Sequence, residues 1–362
     1  MQTLLKKGNR AVAIWLLIGV GMIIIQVLLG GITRLTGSGL SITEWKPILG
    51  AIPPTNENDW QKAFEQYQQI GQYKYLNQHF TIGDFKFIYF WEWFHRVWAR
   101  LIGIVFLIGF FYLLYKKYLR RDMVKPMVIL FFLGALQGAI GWIMVKSGLN
   151  ENDVYVNHIR LALHFIAALG LLAYTFWFAL KLLVPQTQIQ YHQHLHQLTL
   201  GIVVLLVLQL IYGAFMAGLK AAVVATTWPD INGAWIPDQI KTYGGKQYQG
   251  IETITNHPMA VQFIHRTIAY LLLFLIIYWF VKIKKWQPKT RLLQQTMWLP
   301  LVLVCLQVVL GIVTLINASN ATSLLWLGVA HQFVAMLLLM SLVWMLFIIK
   351  NHKSAVNNMQ IN

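Results

Sequence analysis

Residues 11–32 read AVAIWLLIGVGMIIIQVLLGGI. No charge interrupts this stretch, and a helix of that length crosses the hydrocarbon core of a bilayer, roughly 30 Å thick. Further runs of the same character lie at about 87–115, 127–145, 159–183, 198–219, 259–283, 297–316 and 321–349. Backbone groups in lipid must bond within their own segment, so helices are expected; the short alternating segments of a β-barrel are missing. The 362-residue chain is 57% hydrophobic and only 11% charged, with a mean hydropathy of +0.57. A soluble domain carries roughly 25% charged residues, and a soluble chain this apolar would still need that charged shell. The fold class predicted is an all-α membrane protein of eight transmembrane helices.

The net charge of +17 is a matter of topology. Lys6, Lys7, Arg10, Lys116, Lys117, Arg120, Arg121, Lys125, Lys181, Lys282, Lys284, Lys285, Lys289, Arg291, Lys350 and Lys353 fall in the termini and loops of one side, where Asp122 is the only acid. The remaining segments carry 13 basic residues and 11 acids, the rest of the 29 and 12 in the chain. That asymmetry follows the positive-inside rule, so the N and C termini are expected to be cytoplasmic. A basic face of this kind contacts the anionic lipid of the bilayer, and no nucleic acid is expected as a partner. The single cysteine, Cys305, lies in the seventh span, which leaves no intrachain disulfide on the oxidising side. A first span without a cleavage site or an Arg/Ser-rich leader favours a bacterial inner membrane.

The odd-numbered spans repeat a glutamine followed four residues later by glycine: Gln26/Gly30, Gln137/Gly141, Gln209/Gly213 and Gln307/Gly311. Each even span carries one histidine at about its third turn: His95, His164, His265 and His331. The unit is a helical hairpin present four times. His95 and His265 are 170 residues apart, His164 and His331 167. Local text agrees, Glu92-Trp93-Phe94-His95-Arg96 against Gln262-Phe263-Ile264-His265-Arg266. Two pseudo-symmetric four-helix bundles of the same topology are expected, over 1–185 and 198–362, joined by a cytoplasmic linker, 186–197. His192, His194 and His196 alternate in that linker and read as solvated rather than metal-binding. The long outer loops, 36–86 and 220–257, carry Trp45, Pro47, Trp228, Trp235 and Pro237 and read as packed lids.

A histidine inside a membrane helix is costly and faces a cavity or the bundle interior. A lone one is as readily a structural hydrogen bond; four at one depth are not. Zinc calls for three or four ligands with carboxylate or thiolate help, and the spans of the second half contain no carboxylate. Two opposed imidazoles suit the axial positions of haem. His158 competes with His164 but lies about 240° round the helix from it and at the membrane boundary; the text around His164 matches that around His331. Glu92 stands one turn from His95, where the second half has Gln262. A carboxylate there can move a proton and an amide cannot, which points to chemistry in the first half and electron transfer in the second. The plainer reading is a hydrogen bond from Glu92 to Arg96 or Arg100. Arg34, Arg96, Arg160 and Arg266 recur near the outer boundary and suit haem propionates, or simply snorkel.

Several motifs resemble the haem A synthase family over about residues 10–349. They are Gly30-Gly31-Ile32-Thr33-Arg34-Leu35-Thr36, Ser38-Gly39-Leu40-Ser41-Ile42-Thr43-Glu44-Trp45, Pro53-Pro54, Phe85-Lys86-Phe87-Ile88, Glu92-Trp93-Phe94-His95-Arg96, Trp235-Ile236-Pro237, Asn256-His257-Pro258, Gln262-Phe263-Ile264-His265-Arg266 and His331-Gln332. The similarity is to the subgroup that lacks a cysteine pair in the first outer loop. It implies an oxidoreductase that converts the C8 methyl of haem o to a formyl group, giving haem a for cytochrome oxidase. It implies haem b held at its iron by His265 and His331, with substrate haem o in the first half near the metal-facing His95 and His164 and catalytic Glu92. Candidate partners are the haem o synthase that supplies the substrate, an electron donor and a second copy of the chain. Two other readings compete with this one. A b-type cytochrome passing electrons from quinol or across the membrane would place its haems at two depths, and these histidines share one. A non-catalytic haem carrier would need neither Glu92 nor two permanent sites.

The charge asymmetry makes a direct prediction. Alkaline phosphatase fused after Lys353 should be inactive, and a fluorescent protein fused there should glow; periplasmic phosphatase activity would overturn the topology.

Overall fold

The computed structural model describes residues 2–44, 49–237, 240 and 242–351; Trp45, Pro47 and Lys353 lie outside them. Among the described residues are eight helices long and apolar enough to span a membrane. They are α1 (Gln2–Leu35), α2 (Ile82–Tyr115), α3 (Arg121–Lys146), α4 (His158–Leu183), α5 (Gln193–Gly218), α6 (Pro258–Lys285), α7 (Arg291–Ile316, interrupted after Thr296) and α8 (Ala321–Ile348).

Several helices begin earlier than hydropathy predicts, because their first turns are set by polar caps. Thr81 and Asp84 form a reciprocal capping box at the start of α2, and the Asn157 side chain accepts from the amides of Ile159 and Arg160 at the start of α4. His192 accepts from the Leu195 amide at 3.3 Å and starts α5 at Gln193. The linker expected over 186–197 is therefore shorter. Strand β1 (Gln190–Tyr191) pairs in parallel with β2 (Ile349–Lys350), and His196 already lies within α5, bonded to the Ile349 carbonyl at 2.7 Å.

Helices α1, α4, α5 and α8 form the centre. α1 packs along α4 and α2, α5 along α6 and α8, and α7 along α8 and α6; α1 and α4 also meet α8, and α4 meets α5. The largest buried cluster runs through this centre and includes Leu172, Ile202, Leu272, Ile276, Trp279 and Met336. The Trp279 indole N–H donates to Thr199 Oγ1 at 2.8 Å, which satisfies two polar groups deep in that core. One asymmetry stands out. α6 packs along α7, but no comparable packing joins α2 to α3. Only 6% of the apolar window of α2, and of α3, is buried, against 33% for α6 and 17% for α7. The first half is open along that seam.

The first outer loop is a packed lid. Its helices Glu57–Tyr67 and Gly71–Tyr75 close over Leu40, Phe64, Tyr67, Ile70, Phe85 and Ile88. Tyr67 donates to Gln72 Oε1 at 3.1 Å, and Gln72 Nε2 donates to the Gly37 carbonyl at 3.1 Å. Burial pushes the Tyr67 phenol up to about 12, so it stays a donor at any physiological pH. The second loop differs from expectation. Trp235 is 75% exposed and Trp228 44%. Among the described residues that loop gathers Ala225 and Ile231 around Met259, with Val224 packed against them, and its turns rest on Gly233, Gly244 and Gly245 at positive φ, which supply no side chain to bury.

Trp15 of α1 lies against α2, its indole donating to the Val105 carbonyl at 3.3 Å. A Cβ at Gly109 would fall inside contact distance of that nitrogen, whereas one at Gly103 meets nothing within 4 Å. Gly109→Ala is expected to lower stability by about 1–3 kcal/mol and Gly103→Ala to leave it unchanged, as read by thermal melting in detergent. Equal melting of both variants and wild type would show that this seam gives way freely.

Candidate functional site: four imidazoles seated on glycine

The structure brings together the two repeats that the sequence shows separately. In every hairpin the histidine of the even helix points at the glutamine and glycine of the odd one. Gln26 Nε2 lies 3.1 Å from His95 Nε2 and 3.3 Å from its Nδ1. Gln137 Nε2 lies 3.1 Å from His164 Nδ1 and donates to the His164 carbonyl at 2.9 Å. Gln209 Nε2 is 3.3 Å from His265 Nε2, and Gln307 Nε2 3.1 Å from His331 Nε2. One turn on, a Cβ placed at Gly30, Gly141, Gly213 or Gly311 would come within 3.2, 2.9, 3.4 or 3.0 Å of Cε1 of the same ring. At Gly30, Gly141 and Gly311 the imidazole crowds the space a side chain would take, and at Gly213 it lies at ordinary contact distance. The signal was in the sequence as an i, i+4 pair, which puts both residues on one helix face; what it faced was not legible.

Within each half the two imidazoles are electrostatic neighbours, His95 with His164 and His265 with His331. His265 Nδ1 and His331 Nδ1 are buried with no hydrogen-bond partner among the described residues. A buried imidazole nitrogen is rarely left so, and these two, one on α6 and one on α8, would be free to hold a metal. No group of three or more His, Cys, Asp or Glu side chains placed to hold a metal ion occurs among the described residues. The donor set fits a metal whose other ligands arrive with it, as in haem.

The neighbouring charges serve the lids. Glu92, 2% exposed, accepts from Ser41 Oγ at 2.7 Å, from the Ile42 amide at 2.9 Å and from Arg96 at 2.5 Å. Arg96 also donates to the Ile42 carbonyl at 3.2 Å. In the other half, fully buried Gln262 donates to the Ala225 carbonyl at 2.7 Å, and Arg266 to the carbonyls of Asp230 and Thr227 at 2.8 and 2.9 Å. Both pairs clasp an outer loop to its helix. Arg160 donates to the Ile143 carbonyl at 3.1 Å beside a polar cleft lined by Lys146, Asn150, Tyr155 and Asn157. Arg34 ends α1 within electrostatic reach of Tyr155. His158 bonds the Thr255 carbonyl and Asn256 Oδ1, both at 3.1 Å, and ties α4 to the second outer loop instead of facing His164.

Sequence reasoning missed Gln332. It donates to the Val27 carbonyl of α1 at 2.9 Å, and a Cβ at Gly31 would come within 2.5 Å of its Oε1. The doublet Gly30-Gly31 thus admits His95 on one side and Gln332 of the other half on the next.

Eight membrane-length helices with imidazoles buried in neighbouring pairs between them define a class of multi-pass membrane protein with histidine-lined interior sites. The comparisons with known proteins fall within it. Residues 13–343 match the family model described as Cytochrome oxidase assembly protein (COX15-CtaA), and the chain belongs to that family. Relatives named Heme A synthase include one from Flavobacterium psychrophilum, 42% identical over 92% of this chain and 96% of the relative. One from Flavobacterium johnsoniae is 39% identical over 94% and 98%, and one from Paracoccus denitrificans 38% identical over 92% and 86%.

Alanine at 311 sets a methyl 3.0 Å from His331 Cε1 and must move the ring; at 213 the gap is 3.4 Å, an ordinary contact. Bound pigment per mole of purified protein is expected to fall in Gly311→Ala and to stay near wild type in Gly213→Ala. Equal loss in both, or none in either, would show that these glycines do not seat the rings.

Proposed function

We infer that this chain is a haem A synthase, an oxidoreductase of the membrane that converts haem o to haem a. The observation that carries the reading is the four imidazoles set in matching Gln/Gly niches, in a chain whose curated relatives bear that name over nearly their whole length. We place it in the bacterial inner membrane with both termini cytoplasmic, on the charge asymmetry of its loops. Its halves, 1–185 and 198–362, are assigned as related bundles with different tasks.

His265 and His331 are proposed as the axial ligands of haem b. Their support is the unpaired ring nitrogens and the carboxylate-free spans around them. Haem b, when bound, supplies one-electron transfer at its iron. Substrate haem o is assigned to the first half, near His95 and His164, where the loose α2–α3 seam gives a lipid-borne molecule a sideways approach. The first lid covers the outer end of that half and limits water there. Arg34 and Arg160 stand at the outer boundary beside the polar cleft and are assigned to substrate propionates. Arg96 and Arg266 are assigned to cofactor binding through the loops they hold, since their guanidiniums already meet loop carbonyls. The reaction at C8, methyl to formyl, proceeds by successive hydroxylation and loss of water. Each hydroxylation takes two electrons from the C8 carbon, so the reaction needs an oxidant such as dioxygen, with an electron donor to reduce the second oxygen atom to water, and a haem o synthase supplies the substrate.

Glu92 is proposed to serve that reaction. It is one turn from His95, and Gln262 replaces it in the haem b half. Its bonds to Ser41, Ile42 and Arg96 also make it the clasp of the lid, so the carboxylate couples lid position to the site.

Three measurements test the assignment. Cells supplied with haem o and expressing the chain should yield haem a by pigment extraction and mass analysis; no haem a would refute the enzyme reading. His265→Ala and His331→Ala should each lose the low-spin bis-His absorption bands. Glu92→Gln should keep haem b yet make about 10²–10⁴-fold less haem a per haem b. An unchanged ratio would reduce Glu92 to a lid clasp.

A further inference from the structure

The imidazoles of the haem b half each have a partner to which no role has been attached. Gln209 and Gln307 place an amide 3.3 and 3.1 Å from one ring nitrogen of His265 and His331, while the other ring nitrogen of each is buried and unpaired. The amide oxygens, Gln209 Oε1 and Gln307 Oε1, are also buried with no partner among the described residues. The same holds for Gln26 Oε1 and Gln137 Oε1 in the first half. A glutamine kept only for packing would be expected to satisfy both ends of its amide. Here one end meets imidazole and the other is left over, four times.

We propose that Gln209 and Gln307 are positioning residues for the haem b ligands: each amide holds one ring nitrogen of its histidine, so that the other is presented to the iron. The proposal rests on ligation of haem b by His265 and His331. A metal-bound imidazole nearly always gives its remaining N–H to an acceptor, which fixes the tautomer and ring direction and makes the ring a stronger donor. An amide offers an acceptor and a donor that exchange by a half turn. Gln209 Oε1 and Gln307 Oε1, free of other bonds, can therefore turn to receive that N–H. The glycine one turn on leaves the ring room to sit against the helix backbone, so glutamine and glycine together set where the ring lies. Of the other polar groups nearby, Gln262 Nε2 bonds the Ala225 carbonyl and the Arg266 Nη atoms bond the carbonyls of Asp230 and Thr227, while Gln262 Oε1 and Arg266 Nε are buried with no partner among the described residues.

The hydrogen bond has an electronic consequence separate from folding. An acceptor on the ring N–H makes the imidazole richer in electrons and favours ferric over ferrous iron. Removing it raises the midpoint potential of haem b; replacing it with an anion lowers it. The test uses the full chain purified with its haem b, in Gln209→Leu, Gln307→Leu, Gln209→Glu and Gln307→Glu forms. The readouts are redox titration, low-temperature EPR and haem loss to a soluble haem scavenger. The leucine variants should show a raised potential, altered low-spin g-values and about 10–100-fold weaker haem retention. The glutamate variants should show a lowered potential and restored retention. If a leucine variant is not recovered, the glutamate variant decides, since loss of packing gives no reason for a downward shift. Wild-type potentials and g-values in the glutamate variants, or a shift of the opposite sign, would overturn the proposal while leaving His265 and His331 as ligands. Bis-His bands surviving in His265→Ala and His331→Ala would instead overturn the ligand assignment, and the glutamine proposal with it.

Discussion

Everything in this bundle is arranged around the approach of an imidazole to a helix backbone at a point with no side chain. A Cβ at Gly141 or Gly311 would fall at or inside 3.0 Å of the facing ring, so at these positions the ring and the bare helix backbone are complementary shapes. The contact fixes the azimuth of each odd helix, and the glutamine one turn earlier follows onto the same face. Packing of α1 on α2 and α4, and of α5 on α6 and α8, then places the rings in two neighbouring pairs. Interhelical association in a bilayer has no hydrophobic drive of its own and depends on small residues and polar contacts such as these.

The two halves spend the same framework differently. α6 and α7 are packed together, and their spans hold no carboxylate. That suits a permanently held group kept away from water. α2 and α3 are splayed, nearly unburied and roofed by an ordered lid, which suits a molecule that must enter and leave. At the lid hinge the first half uses an ion pair, Glu92 with Arg96, where the second half uses the neutral amide of Gln262. A buried ion pair is seldom kept for stability alone, and its presence in the more open half is the strongest chemical difference between them.

Much of this was legible from the sequence. Apolar runs and loop charges give the number of helices because lipid imposes one length and one backbone solution on every span. The four histidines and the four Gln/Gly pairs could each be counted. Their mutual contact could not, because spacing fixes the face of a residue within its own helix and says nothing of the neighbour it meets. The pairing of Arg96 with Glu92 was open to view, but the bonds of Arg96 to Ile42 and of Arg266 to Asp230 and Thr227 were hidden for the same reason: those partners are loop carbonyls, which carry no letter in the sequence. The second lid was misjudged because tryptophan suggests burial, and Trp235 is instead held out at the outer surface. Gln332 was passed over beside the more conspicuous His331.

Gln332 also bears on how the molecule comes into being. α8 follows the other seven helices in the chain, and it brings both His331 and the side chain that bonds Val27 of α1. During synthesis α1 must wait in the bilayer, with the notch at Gly31 unfilled, until the α7–α8 hairpin has been inserted. Only then does His265 acquire His331 as its neighbour, and only then is the contact of α1 with α8 added to that of α4 with α5 between the halves. A group held by both His265 and His331 would therefore have to wait for the last hairpin, since its second ligand is among the last parts of the chain to enter the membrane.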